Sequence, residues 1–287
     1  LEQVERHQHY ELVRYERDGV PLFAEIYAPT TGDPRPWRAV VLVPGGFVGV
    51  NASHREAARR LAAAGFLVAL PHLRGQGKSG GIITFGREDA HDVQRLAQAL
   101  TQRGGRGDYA YVGISFGAAI ALNAARNDPK VRGIAYVLGP TDLREQRAML
   151  DRWGRADKVK RWDTWVGGSP ENCPECWNER DPLLHAYEVN APLLILQAGQ
   201  DPLIPVSQAC RLANVRQLMG RPVRRVALDQ NGQPWREPLI ERHQCVLPLS
   251  QLGDWREDHL ILFPDLPHRT NDTLWRLVIR ALERWFS

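Results

Sequence analysis

Apolar residues in this chain fall into short runs separated by stretches of helical periodicity, and the alternation of the two predicts a fold class. The run Ala39-Val40-Val41-Leu42-Val43 is apolar at every position, as a strand covered on both faces of a parallel sheet must be. Runs at 66–70, 109–112, 131–138 and 192–197 read as further strands of that sheet. Between them, helices are expected over 53–64, with Ser53 as N-cap and Gly65 as stop, and over 88–100, 116–125 and 206–219. Ahead of them, strand-like runs at 10–15 and 22–28 flank Glu16-Arg17-Asp18-Gly19, whose Asp-Gly pair reads as a hairpin turn. The sheet therefore opens with antiparallel strands and continues as a mostly parallel, doubly wound α/β sheet. The last helix, over 271–286, carries Leu274, Leu277, Val278, Ala281, Leu282 and Trp285 on one stripe.

Two segments break the alternation. Residues 141–190 are amphipathic and rich in tryptophan (Trp153, Trp162, Trp165, Trp177), and read as a lid-like insertion over the carboxyl edge of the sheet. Residues 220–258 form an irregular excursion. Two runs, 223–228 and 260–263, compete for the last core strand; the second is preferred because it leads directly into Pro264-Asp265-Leu266-Pro267-His268. A single domain over 1–287 accommodates all of this.

Composition removes several functional classes. The formal charge of +4 arises from 37 basic and 33 acidic residues without a polybasic block, which argues against a nucleic-acid partner. No apolar run is long enough to span a bilayer, so a soluble protein is expected. The sequence begins at Leu1, leaving a leader ahead of it open, and both a cytoplasmic and an exported location remain compatible. Of four cysteines, Cys173 and Cys176 stand in C-P-E-C spacing and Cys210 and Cys245 lie far downstream. Free thiols and disulfides are both allowed; one C-x-x-C without a second pair is a weak metal signature, and no metal is expected. Oligomeric state leaves no trace in the pattern.

Candidate chemistry centres on Gly113-Ile114-Ser115-Phe116-Gly117, which follows the run Tyr109-Ala110-Tyr111-Val112 and opens a helix of small residues. That context is a nucleophile elbow: a serine on a cramped strand-to-helix turn, with glycines two before and two after it removing side chains that would clash. A serine hydroxyl needs a base within hydrogen-bond reach and a carboxylate to orient that base. Asp201 follows the strand at 192–197, and His268 follows the strand at 260–263. Their order along the chain, Ser115, Asp201, His268, places all three on loops after strands.

With these residues assembled, the chain resembles the α/β-hydrolases from about Ala39 through His268. Val43-Pro44-Gly45-Gly46-Phe47-Val48-Gly49 is similar to the family's oxyanion loop, and Arg74-Gly75-Gln76-Gly77-Lys78-Ser79 to its R-G-x-G-x-S turn. The stretch from Asp181 through Ala191-Pro192-Leu193-Leu194-Ile195-Leu196-Gln197-Ala198-Gly199-Gln200-Asp201-Pro202 to Pro205 resembles the catalytic domain of prolyl-oligopeptidase-like hydrolases. The resemblance implies an acyl-enzyme on Ser115, His268 as base, Asp201 as its orienting acid, and the backbone N–H groups of Phe47 and Phe116 as oxyanion donors. Substrate contacts are expected from Gly46, Ile114, His72 and Leu203. Two departures stand out: Pro44 and Gly45 occupy positions where many relatives carry a histidine before the oxyanion glycines, and His72 stands where many have Asp.

The expected reaction is hydrolysis of a small carboxylic ester, without cofactor. Dedicated peptidases of the resembling group carry a large propeller domain, for which the segment before Ala39 is too short, so a short-peptide substrate is the alternative. A non-catalytic binding protein on the same fold is a third reading, opposed by the complete Ser-Asp-His set. Pocket walls are expected from 141–190 and 220–258. The tryptophans of the insertion are read as packing beneath it, with the lining of an aromatic pocket as the other possibility.

Overall fold

The computed structural model describes residues 1–32 and 34–287. Among them, β1 (Glu2–Arg6), β2 (Glu11–Arg17) and β3 (Val20–Tyr27) form an antiparallel meander, with the turn at Asp18 and Gly19 where the sequence predicts it. β4 (Trp37–Val43) and β5 (Phe66–His72) pair in parallel, and β3 joins the sheet antiparallel to β5. β6 (Gly105–Ile114), β7 (Val131–Val137), β8 (Leu193–Ala198), β9 (Val223–Ala227) and β10 (Asp258–Phe263) complete a ten-stranded sheet ordered β1-β2-β3-β5-β4-β6-β7-β8-β10-β9. From β5 to β9 every pairing is parallel.

Successive side chains of a strand face opposite ways, and in β4 this divides the core in two. Val41 and Val43 enter one apolar layer, and Val40 and Leu42 the other. The second layer is closed by α1 (Ala52–Ala63) and by α9 (Asp272–Trp285), whose stripe from Leu274 to Trp285 is buried as its spacing predicts. The first is closed by α2 (Glu88–Ala99), α3 (Phe116–Ala124), the insertion and α8 (Val206–Leu218). Covering both faces explains why the central strands read as unbroken apolar runs rather than alternating ones.

The insertion consists of α4 (Leu143–Arg152), α5 (Ala156–Val166), α6 (Pro174–Asn178) and α7 (Pro182–His185). Its two ends are fastened by buried polar groups. At the start, Gln208 Oε1 accepts the N–H groups of Thr141 and Asp142, while Gln208 Nε2 donates to Gln146 Oε1. At the finish, the Arg216 guanidinium donates to the carbonyls of Ala186, Val189 and Ala191 and pairs at 2.7 Å with Asp258, both side chains fully buried. Asp258 also accepts the Leu193 N–H, so the charge pair fixes the first residue of β8.

Several sequence-based expectations are corrected. The N-cap of α1 is Asn51, not Ser53: Asn51 Oδ1 accepts the His54 N–H and His54 Nδ1 accepts the Asn51 N–H, a reciprocal capping box that starts the helix earlier. The two runs offered as rivals for the last core strand are both strands, with β9 at the sheet's edge beside β10. β1, exposed at every residue, went unforeseen because it carries no apolar alternation. All four cysteines are paired, Cys173 with Cys176 inside the insertion and Cys210 of α8 with Cys245 of the 220–258 excursion. Among the described residues no helix is long and apolar enough to cross a membrane.

Candidate active site

The carboxyl end of β6 turns sharply at Ser115 before α3 begins. Ser115 has φ 51° and ψ −126°, a backbone region that costs a non-glycine residue roughly 1–3 kcal/mol. Neighbouring backbone holds it there: its N–H donates to Val137 O at 2.8 Å and its carbonyl accepts the Ala118 N–H at 2.9 Å. The flanking glycines are required by space. A Cβ on Gly113 would press into the Ala118 backbone, and one on Gly117 into the Val43 carbonyl. The loop after β4 is packed onto the same turn, for a Cβ on Gly45 would stand 2.9 Å from Ser115 Cβ.

Two further loops bring their side chains to this serine. His268 Nε2 lies 3.2 Å from Ser115 Oγ, and His268 Nδ1 lies 2.6 Å from Asp201 Oδ2. An ionised carboxylate only accepts, so Nδ1 carries the proton and Nε2 is left to accept from the serine hydroxyl. The other Asp201 oxygen accepts the N–H groups of Leu203 and Ile204 at 2.8 and 2.9 Å, and the side chain is 1% exposed. Backbone bonds tie the Asp201 and His268 loops together, Gly199 N–H to Phe263 O and Gln200 N–H to Leu266 O. From beneath, buried His243 places its Nε2 2.8 Å from Gly199 O.

Beside the serine lies a cavity of about 270 Å³ walled by Gly46, Phe47, Phe116, Trp162, Trp165 and Leu203, with Gln146, Leu150, Trp153, Lys158 and Arg161 completing it. Its rings are in mutual contact: centroids are 4.8 Å apart for Phe47 with both Phe116 and Trp165, and buried Phe85 backs Trp162 at 4.6 Å. The Phe47 and Phe116 N–H groups donate to no other group among the described residues. Gln76 Oε1 accepts the Gly49 N–H at 3.0 Å, fixing the far end of the Phe47 loop.

Of the residues expected to touch substrate, Gly46 and Leu203 line this cavity; Ile114 and His72 do not. Ile114 packs against the opposite apolar layer, because β6 alternation turns it away from the cavity. His72 is buried between Glu25 Oε1, 3.3 Å from its Nε2, and the Lys78 N–H, which donates to its Nδ1. Burial opposes ionisation of Glu25, but His72, Arg55 and Tyr27 outweigh it by hydrogen bonding and hold its carboxyl down at about 2. His72 thus belongs to a buried network that anchors the R-G-x-G-x-S turn, where Arg74 also makes a two-point pair with Asp92. The 220–258 excursion contributes no wall either; its 3₁₀ turn (Glu241–Val246) packs on α8.

A family model described as alpha/beta hydrolase fold matches residues 38–164, and a second, described as BD-FAE, matches residues 115–215. The chain has the α/β-hydrolase fold. Solved structures similar to it include an esterase of Pyrococcus furiosus, at 17% identity and TM-score 0.65, covering 97% of this chain and 93% of the esterase. The acylaminoacyl peptidase of Pyrococcus horikoshii matches at 17% identity and TM-score 0.69 over 96% of this chain, which spans 42% of that peptidase. A Mycobacterium tuberculosis puromycin-hydrolyzing peptidase matches at 19% identity and TM-score 0.67, over 96% of this chain and 38% of its own. No curated protein sequence matches the chain.

Within this fold, three of the four insertion tryptophans line the cavity, whereas Trp177 is fully buried and donates its indole N–H to Gly168 O. The sequence did not single out Gln146, Lys158 or Arg161. The spacing of 158, 161, 162 and 165 was a usable signal, since it sets them on one helical face. Among the described residues, Cys173, Glu175 and Cys176 form the single cluster spaced to hold an ion. Its sulfurs are joined as a disulfide, which leaves no thiolate to coordinate.

Proposed function

We propose that this protein is a serine hydrolase that cleaves carboxylic esters through an acyl-enzyme on Ser115. The observation that carries the reading is the unbroken hydrogen-bonded sequence Ser115, His268, Asp201 at the wall of an apolar cavity. Ser115 Oγ attacks the ester carbonyl while His268 Nε2 takes its proton, and Asp201 holds the imidazole in the tautomer that can accept it. The Phe116 and Phe47 N–H groups, unengaged elsewhere, meet the charge that develops on the carbonyl oxygen. The carbon–oxygen bond to the alcohol then breaks, with His268 returning the proton to the leaving oxygen. Water repeats the sequence on the acyl group and frees the serine. No cofactor enters this chemistry.

What lines the cavity supports ester rather than peptide hydrolysis. Its walls are mostly apolar, and burying an unpaired peptide N–H or C=O against them costs about 1–3 kcal/mol. No carboxylate among the described lining residues could receive the ammonium of a free amino terminus. Likeness in fold to acylaminoacyl and puromycin-hydrolyzing peptidases supports a small acylated amide as the second reading.

A fluorophosphonate probe is expected to label the wild-type protein and not Ser115→Ala; folded wild-type protein that fails to react would overturn the enzymatic reading. Short-chain p-nitrophenyl esters are expected to turn over faster than matched aminoacyl and prolyl p-nitroanilides. A clear preference for the anilides would make the peptidase reading the better one.

A further inference from the structure

Helix α5 presents Lys158, Arg161, Trp162 and Trp165 to the cavity, at the spacing that puts four residues on one face. On a helix closing an apolar pocket, all four would ordinarily be apolar. Two are instead cations without an acidic partner among the described residues. Arg161 lies over the Trp165 ring at 6.0 Å, and Lys158 is half-buried. The nearby acids are engaged elsewhere or absent from the cavity. Asp163 makes a two-point pair with Arg147 at 2.6 Å, Asp157 stands beside Arg155, and no carboxylate lines the wall. Other arginines around the insertion do find acids, as Arg211 does in Asp142 and Glu145.

The geometry points to a substrate with two features: a flat apolar group that seats among Phe47, Phe116, Trp162 and Trp165, and an anionic substituent, such as a carboxylate, reaching Lys158 and Arg161. This rests on the serine-hydrolase reading and narrows it to esters of acidic aromatic compounds. A cavity of about 270 Å³ accommodates one ring system with its substituent. Lys158 is half-buried and Arg161 exposed, so the pair stands partly in water beside the rings, where two unneutralised like charges favour an anion and salt screens them.

The test compares two esters of one shape, 4-nitrophenyl hydrogen terephthalate, which is anionic, and its neutral methyl ester, each corrected for its alkaline hydrolysis rate. Wild-type protein is expected to favour the anion about tenfold in kcat/KM. The ratio should fall to about one in Lys158→Ala/Arg161→Ala and drop below one in Lys158→Glu/Arg161→Glu. It should also shrink as salt is raised. A wild-type ratio near one, or a preference that survives loss of both cations, overturns the inference. If neither ester acylates the protein, the hydrolase reading fails separately. Tryptophan-fluorescence titration with monomethyl and dimethyl terephthalate then decides the charge preference alone: tighter binding of the monoanion, lost in the double alanine variant, supports it, and equal binding overturns it.

Discussion

The two oxygens of Asp201 are not interchangeable. Oδ1 is held by the N–H groups of Leu203 and Ile204, leaving Oδ2 for His268. In Asp201→Asn those donors retain the remaining oxygen, so the amide NH₂ faces the imidazole and forces its proton onto Nε2. His268 Nε2 then cannot accept from the Ser115 hydroxyl. A fall in kcat of about 10⁴ is expected with little change in thermal midpoint, and ester kinetics beside a melting curve checks both. Glu25 supplies a second residue-scale outcome. Its carboxyl is held at about 2, below its ordinary 4.5, so its stabilisation is present above the ordinary value and is lost as pH falls toward the lower one. Urea midpoints measured through that range should decline in acid. Glu25→Gln should flatten the decline and cost up to about 3 kcal/mol at neutral pH. The meeting of Ser115, Asp201 and His268 was legible because each lies within five residues of the end of a recognisable apolar run. His72 was misread because its partner Glu25 lies on a distant strand, and no local signal announces a contact between β3 and β5.

At the scale of elements, strands buried on both faces and the α9 stripe could be read directly, since burial leaves its period in the residue types. Elements that bury little were harder: β1 has no apolar face, and β9, with Arg224 and Arg225 at its centre, was read only as a rival to β10 for the last core strand. The insertion was recognised as helical and aromatic. Which of its tryptophans would face the cavity depended on how α5 packs against Phe47 and Phe85, a tertiary contact. The Cys210–Cys245 disulfide joins α8 to the turn that carries His243, and His243 supports the carbonyl of Gly199 beside the acid loop. Cys245→Ser should therefore lower stability by up to about 4 kcal/mol, the chain-entropy value for a loop of this length. It should also reduce kcat, which denaturation and ester kinetics on one preparation would show. Full stability in the serine variant would count against this bracing role.

Across the whole molecule, Ser115, Asp201 and His268 stand at the carboxyl ends of β6, β8 and β10, with β7 between the first two. Sequence order alone predicted that the three loops share one edge, because parallel strands all end on the same side. It did not predict that the 220–258 excursion lies away from the cavity, since its path is set by α8 and the disulfide rather than by any periodic pattern. The Gln208 amide has a further consequence at this scale. It binds the first residues of the insertion, and through Gln146, whose amide donates to Leu203 O at 2.7 Å, it reaches the turn that holds Asp201. The near end of the insertion therefore cannot swing outward without disturbing Asp201. The far end, the Trp153 to Gly168 stretch, has no such tie to the Asp201 turn; it is held by ring packing and by the Arg147–Asp163 pair. Hydrogen exchange should find the amides of Thr141 to Gln146 as slow as those of the sheet and the far end much faster. Such a pattern would show one end of the insertion built into the same frame as Asp201 and the other held by side-chain contacts alone.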